Sequence, residues 1–170
     1  MTTGGGTMNA DNCTVHTSGN SSAAIRSDRG GGTVTVTGGS YTTDGTGSPV
    51  IYSSAAITLE DTEIMNQDAD GLLLRACAAG WGTEGSNGGK VDFYLKMMDI
   101  EGDIAVDSIS ALNLYLSSDT VYEGSVNADN EGEVYVEIDS GSKWILTGDS
   151  YVTSLTCDED AIVLNGYTLY

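Results

Sequence analysis

The chain contains short segments in which apolar residues alternate with polar or small ones. One series of these segments is Val34-Thr-Val36, Ile57-Thr-Leu59, Val91-Asp-Phe93, Leu112-Asn-Leu114 and Val134-Tyr-Val136. A second series is Ile25-Arg-Ser27, Ile51-Tyr-Ser53, Leu74-Arg-Ala76, Val106-Asp-Ser108 and Val126-Asn-Ala128. Alternation with a period of two is typical of a β-strand that buries one face. The pattern therefore predicts two interleaved sets of short strands.

The two series recur with a period in the low twenties. The first series starts at positions 34, 57, 91, 112 and 134, which gives steps of 23, 34, 21 and 22 residues. The long step contains the Gly-rich stretch 78–89, which lacks alternation and is predicted to be an inserted loop. Leucine-rich repeats share this period, but their leucine spacing is absent. The period predicts an all-β fold, a parallel β-solenoid with about seven turns of ~22 residues in a single domain over residues 1–170.

Glycines beside a second glycine or an acidic residue separate the predicted strands. They are Gly38-Gly39, Asp44-Gly45, Asp70-Gly71, Glu101-Gly102 and Glu123-Gly124. Glycine adopts positive φ without steric cost, and Asp and Asn tolerate it, so these pairs are predicted to form the corners of the coil.

The net charge limits the classes of partner. The chain has 25 Asp and Glu but only 6 Lys and Arg, a formal net charge of −19. A nucleic-acid-binding surface needs clustered basic side chains to neutralise phosphates, so this class is excluded. No apolar run reaches the ~18–20 residues of a membrane-spanning helix. His16 is the one histidine, which argues against acid–base chemistry that depends on histidine.

The acidic residues offer oxygen ligands for a hard cation. Asp68 and Asp70 lie in one predicted turn, and Asp158 and Asp160 lie near the C-terminal end. These four residues are the predicted metal ligands, with calcium as the candidate ion, although no run matches a known calcium-loop motif. The sequence predicts no required cofactor.

Aromatic side chains beside polar groups suit stacking on sugar rings. Trp81 lies in the Gly-rich loop, and Tyr52 and Tyr94 lie where outward-facing strand positions are predicted. These three residues are predicted to bind carbohydrate. Further tyrosines are predicted on the outer strand faces: Tyr41, Tyr115, Tyr122 and Tyr135. Trp144 is predicted to pack in the core, because alternation places it on the same face as Leu146.

Several segments, in order along the chain, resemble a known family. They include Gly31-Gly-Thr-Val-Thr-Val-Thr-Gly-Gly-Ser-Tyr-Thr-Thr43, Glu101-Gly-Asp-Ile-Ala-Val-Asp-Ser-Ile-Ser110 and Trp144-Ile-Leu-Thr-Gly-Asp-Ser-Tyr-Val-Thr-Ser-Leu155. They are similar to the right-handed parallel β-helix, adhesin-like proteins of anaerobic Gram-positive gut bacteria, some of which are labelled carbohydrate-binding. The resemblance implies a single-stranded, right-handed coil that is secreted or displayed at the cell surface. The first ten residues contain no secretory signal, so either the protein stays inside the cell or the chain is part of a longer protein. The Thr/Gly-rich, repeat-like sequence directly after Met1 favours the second alternative.

Three functions are open at this point. The first is a non-catalytic, extracellular binding or structural module, with a polysaccharide or a host or cell-surface glycan as its partner. The second is a polysaccharide lyase of pectate-lyase type or a glycosidase, for which Asp68, Asp70 and Arg75 would supply carboxylates and a base. The third is a structural solenoid that self-associates end to end through unpaired strand edges. The scarcity of Lys, Arg and His favours the non-catalytic module.

Overall fold

The computed structural model describes residues 1–28, 31–69, 71–78 and 82–170. These residues form a parallel β-solenoid of about six turns, which confirms the predicted fold class and is consistent with right-handed coiling. The sequence predicted about seven turns, and the number is lower because some turns are longer than ~22 residues. Ile25 pairs with Ile51, 26 positions later, and Ile57 pairs with Phe93, 36 positions later across the inserted loop, whereas Leu112 pairs with Val134, 22 positions later. In the part of the chain that the structure describes, no helix is long and apolar enough to cross a membrane.

The first five turns contain three strands each, and equivalent strands of successive turns pair in parallel, except on the third side of the coil, where the strands divide into two sheets. Sheet 1 consists of β1 (Thr2–Thr3), β4 (Ile25–Asp28), β7 (Ile51–Ser53), β10 (Leu72–Ala76) and β13 (Asp103–Val106). Sheet 2 consists of β2 (Gly6–Asp11), β5 (Gly32–Thr37), β8 (Ala56–Glu60), β11 (Lys90–Lys96), β14 (Ala111–Ser117), β16 (Glu133–Ile138) and β18 (Ser154–Thr156). The third side of the coil holds sheet 3, with β3 (Thr14–Thr17), β6 (Ser40–Thr43) and β9 (Glu63–Asn66), and sheet 4, with β12 (Asp99–Glu101), β15 (Val121–Glu123), β17 (Lys143–Ile145) and β19 (Ile162–Val163).

The inward side chains of sheet 2 form a continuous apolar ladder. Val34 pairs with Ile57, Ile57 with Phe93, Phe93 with Leu114, and Leu114 with Val136. None of the five is more than 1% exposed. Burial of a side chain of this size contributes about 1.5–3 kcal/mol relative to exposure, so the ladder is a large part of the core. The same alternation leaves the other side of the sheet open to solvent.

The structure corrects the pairing of turns on either side of the inserted loop. The sequence series aligns Ile57 with Val91, whereas Ile57 pairs with Phe93, two residues further along. The second series likewise places Val106 at the ladder position that Ile104 occupies. A shift of two residues keeps every side chain on the same face of the sheet, so alternation alone does not detect it.

The strands of the third side were not visible in the hydrophobic pattern. They are two to four residues long, and each contributes one main apolar position: Val15, Tyr41, Ile64, Ile100, Tyr122, Trp144 and Ile162. Alternation is recognised only where several apolar and polar residues follow one another along the same strand. For this reason the prediction that Tyr41 and Tyr122 face outward is wrong, since they are 3% and 0% exposed. The predicted packing of Trp144 in the core is confirmed, with 0% exposure.

The inserted loop follows β10. Residues 77, 78 and 82–89 contain no strand, which agrees with the Gly-rich insertion predicted near 78–89. Trp81, predicted to bind carbohydrate, lies outside the described residues.

Asp139 lies in the corner between β16 and β17 and forms hydrogen bonds within this corner and with the preceding turn. Its carboxylate accepts hydrogen bonds from Ser142 Oγ at 2.7 Å, from the Ser118 backbone N–H at 2.7 Å and from the Gly141 backbone N–H at 3.2 Å. The hydrogen bond from the Ser142 hydroxyl is the largest cause that lowers the pKa of Asp139 below its ordinary value. The backbone N–H groups lower the pKa further, and desolvation raises it in part.

We expect acid to remove the stabilisation that Asp139 provides. Its folded-state pKa lies below the unfolded one, so the contribution is present above the unfolded pKa and is lost as pH falls through the folded value. Asp139 is exposed, so water screens part of these interactions. Asp139→Ala should therefore lower the free energy of unfolding by about 0.5–1 kcal/mol at neutral pH, with a smaller difference from the wild type in acid. Urea denaturation across a pH series measures this. Asp129→Ala, at another exposed corner, is the control, and an Asp139→Ala loss that stays constant with pH would contradict the assignment.

Candidate functional site

The outward side chains of sheet 2 include a pair of stacked tyrosines. Tyr94 of β11 pairs in register with Tyr115 of β14, and the ring centroids are 4.5 Å apart with 7° between the ring planes. This separation is close to the ~4.8 Å between neighbouring strands, so the rings stand away from the sheet and face each other along the solenoid axis. Burial, followed by the neighbouring Tyr94, raises the pKa of the Tyr115 hydroxyl.

The Tyr94 ring has a second face, directed away from Tyr115. The residue that pairs with Tyr94 on this side is Thr58 of β8, and the next in the same row is Thr35 of β5. Threonine side chains are much shorter than tyrosine, so the Tyr94 ring forms a wall above a floor of threonines. We name these three residues, Tyr94, Thr58 and Thr35, the Tyr94 step. The step has the shape to hold a flat, hydroxyl-bearing ring against an aromatic face.

Polar groups and a further aromatic ring lie beside the step. Asp92 and Asn113 pair in the neighbouring outward row, and Asn113 Nδ2 donates a hydrogen bond to Asp92 Oδ1 at 2.7 Å. Tyr135, which is 37% exposed, follows Asn113 in the same row. A carboxylate, an amide and an exposed aromatic side chain therefore lie within a few strand spacings of Tyr94 on one flat surface.

The outer side of sheet 1 carries a second candidate site. Arg26, Tyr52 and Arg75 occupy the same register position on the consecutive strands β4, β7 and β10. They line a cleft of about 330 Å³ beside the buried Pro49, which we name the arginine cleft. Arg26 Nη2 lies 2.9 Å from Asp28 Oδ2, and its guanidinium carbon lies 4.3 Å from the centroid of the Tyr52 ring.

Tyr52 is engaged by its neighbours in the arginine cleft. The Arg26 guanidinium covers one face of its ring, and its hydroxyl donates a hydrogen bond to the Ala78 carbonyl oxygen at 3.3 Å. Burial, followed by the Cys77 thiol, raises the pKa of Tyr52 to about 12, so the hydroxyl remains a neutral donor. These contacts give Tyr52 a role in holding Arg26. That Tyr52 also stacks on a sugar stays a prediction.

The structure describes three of the four predicted metal ligands. Asp68 Oδ2 accepts a hydrogen bond from the Gly47 backbone N–H at 2.8 Å, a contact between turns. Asp158 and Asp160 are exposed in the corner before β19, and Asp70 lies outside the described residues. Among the residues that the structure describes, no three His, Cys, Asp or Glu side chains are grouped so as to hold a metal ion. Calcium binding stays a prediction.

The sequence predicted both Tyr94 and Tyr115 on outer strand faces but did not pair them. Tyr115 follows Tyr94 by 21 positions, and the register of β11 on β14 agrees with the alignment of Val91 with Leu112 in the first series. The arginine cleft did leave a signal in the sequence. Arg26 and Arg75 are the middle residues of two segments in the second repeated series, and Tyr52 is the middle residue of the segment between them.

Comparison with known proteins returns no match. No protein-family model matches the chain, and no curated protein or solved structure is detectably similar to it. The two outer faces described above are therefore the basis for inferring a function.

Proposed function

We propose that the protein is a non-catalytic, adhesin-like β-helix of the cell exterior that binds a polysaccharide against the outer face of sheet 2. The Tyr94 step carries this proposal, because it combines an aromatic ring face with a row of hydroxyl-bearing side chains. Tyrosine offers a large and rigid contact surface, and a few polar groups beside it fix the orientation of a ligand. The extracellular placement rests on the sequence resemblance alone.

The geometry favours a ligand chain that runs across the solenoid axis, along the strands of sheet 2. The Tyr94 ring faces along the axis, so a sugar ring stacked on it has its plane perpendicular to the axis, and its neighbours in the ligand chain continue near that plane. The hydroxyl groups of the stacked ring would lie near Thr58. Asp92, two positions before Tyr94 on β11, and Asn113 lie beside this path and offer a hydrogen-bond acceptor and a donor.

Tyr94→Ala should weaken polysaccharide binding by at least about tenfold, which corresponds to about 1.4 kcal/mol of lost stacking. A glycan array, read with calcium and with a chelator, identifies the ligand. Isothermal titration of wild type and variant with that ligand then measures the change.

Tyr167→Ala is the matched control, because Tyr167 is 42% exposed and lies far along the chain from the step. It should leave the affinity within about twofold of the wild type. Equal affinities for Tyr94→Ala and the wild type, with both variants folded by thermal unfolding, would contradict a site at the Tyr94 step.

The catalytic alternative predicts shortened or unsaturated products from an acidic polysaccharide. Arg75 is the candidate base, and Arg75→Ala would abolish product formation in that case. We expect no increase in ultraviolet absorbance and no change in polysaccharide length after incubation with the wild-type protein. Turnover that disappears in Arg75→Ala would overturn the non-catalytic proposal.

A further inference from the structure

The arginine cleft lies on a different side of the coil from the Tyr94 step, and the polysaccharide proposal does not use it. We propose that this cleft binds a carboxylate-bearing ligand about the size of one sugar ring, held by the guanidinium groups of Arg26 and Arg75. The chain has only 6 Lys and Arg in 170 residues, yet two of them line this one cleft.

The lining of the arginine cleft differs in charge from other surfaces. Besides the two arginines and Tyr52, the described lining consists of small or apolar residues and includes no carboxylate, although the carboxylates of Asp28 and Asp68 contact two lining residues, Arg26 and the Gly47 backbone N–H. Four other clefts of the described surface each include at least one acidic residue: Asp61, Glu63, Asp99 and Asp119 in one, Asp103 and Asp129 in another, Glu133 in a third, and Asp99, Glu101 and Glu123 in a fourth. Salt screens distant charges over about 10 Å, so the nearest side chains dominate the attraction of a small ligand.

The register sets the spacing of the two guanidinium groups. Arg26 and Arg75 lie one strand to either side of Tyr52, so their backbones are about 10 Å apart. Two long side chains that start from this spacing and line the same cleft can both reach a ligand seated above Tyr52. The planar fork of arginine matches the two oxygens of a carboxylate, which favours this group over a neutral hydroxyl.

The two arginines contribute in different ways. Arg26 is held in place by Asp28, whose side chain is 7% exposed, and by the Tyr52 ring, so it offers its remaining N–H groups in a fixed direction. Arg75 is exposed and forms no ion pair with any residue that the structure describes. Arg75 also lines the neighbouring cleft that contains Asp103 and Asp129, but it is paired with neither, so its charge can act on a ligand in the arginine cleft.

The test titrates the full chain with glucuronate and, in parallel, with glucose as a neutral ligand of the same size. We expect binding of glucuronate, no detectable binding of glucose, and weaker glucuronate binding at high salt. Arg75→Gln should weaken glucuronate binding by at least about tenfold, because it removes the charge and the carboxylate fork. Lys143→Gln removes one positive charge from an exposed site on the third side of the coil and should change the affinity by less than about twofold.

Several results would overturn the proposal. They are absent glucuronate binding, equal binding of glucose, and equal effects of Arg75→Gln and Lys143→Gln with both variants folded. Acetate or sulfate that binds as tightly as glucuronate would also overturn it, because a bare anion would then suffice without the sugar ring. Tyr94→Ala should leave glucuronate binding unchanged, so the two proposed sites succeed or fail separately.

Discussion

The Trp144→Ala variant should lose about 3–5 kcal/mol of its free energy of unfolding, the cost typical of removing a fully buried aromatic side chain. Trp144 is 0% exposed, and its Nε1–H donates a hydrogen bond to the Gly124 carbonyl oxygen at 2.9 Å. Its ring packs on Tyr122, with centroids 6.1 Å apart and 25° between the planes. Alanine opens a cavity between these turns and leaves the Gly124 carbonyl without its donor.

Urea denaturation followed by far-ultraviolet circular dichroism measures this change. Trp144→Phe keeps a ring against Tyr122 but removes the N–H and part of the volume, so we expect a smaller loss of about 1–3 kcal/mol. This variant keeps the prediction testable where Trp144→Ala does not fold. Tyr167→Ala, at an exposed position, should stay within about 0.5 kcal/mol of the wild type. If both Trp144 variants also stayed within about 0.5 kcal/mol of the wild type, the third side of the coil would not be packed as described.

Gly39→Ala should destabilise the protein by about 3 kcal/mol or more, because two separate costs act at this corner. Gly39 has a φ of 83°, a conformation that side chains other than glycine rarely adopt. A Cβ atom at this position would also meet the backbone of Cys13, one turn earlier in the coil. Relief of that contact would disturb the 2.9 Å hydrogen bond from the Ser40 N–H to the Cys13 carbonyl oxygen.

Gly85→Ala separates these two costs. Gly85 has a φ of 80°, but a Cβ atom added to it would meet nothing within 4 Å, so alanine there carries only the backbone cost, about 1–2 kcal/mol. Thermal unfolding of both variants gives the comparison. Equal losses for Gly39→Ala and Gly85→Ala would show that the close approach to Cys13 adds nothing.

The arginine cleft and the Tyr94 step differ in how much of each the sequence reveals. Arg26, Tyr52 and Arg75 fall at one position of a repeated segment, and the structure pairs those segments as the series aligns them. The stack of Tyr94 on Tyr115 follows from the same kind of alignment across β11 and β14. The sequence, however, does not state the direction of a ring or the partner that covers it. That Arg26 lies over Tyr52 depends on the rotamers that packing selects.

The sequence by itself determined that the protein is a parallel solenoid, which face of each longer strand is buried, and where the inserted loop begins. The physical reason is that alternation with a period of two is a property of each strand by itself, so it can be recognised without the neighbouring strands. Only the tertiary structure decided the register across the loop, because a slip of two residues, from Val91 to Phe93, preserves the inward face. The tertiary structure alone also showed that the coil has a third side and that Tyr41 and Tyr122 point inward. The strands of this side are too short to show an alternating pattern, so the direction of their side chains depends on how the turns stack.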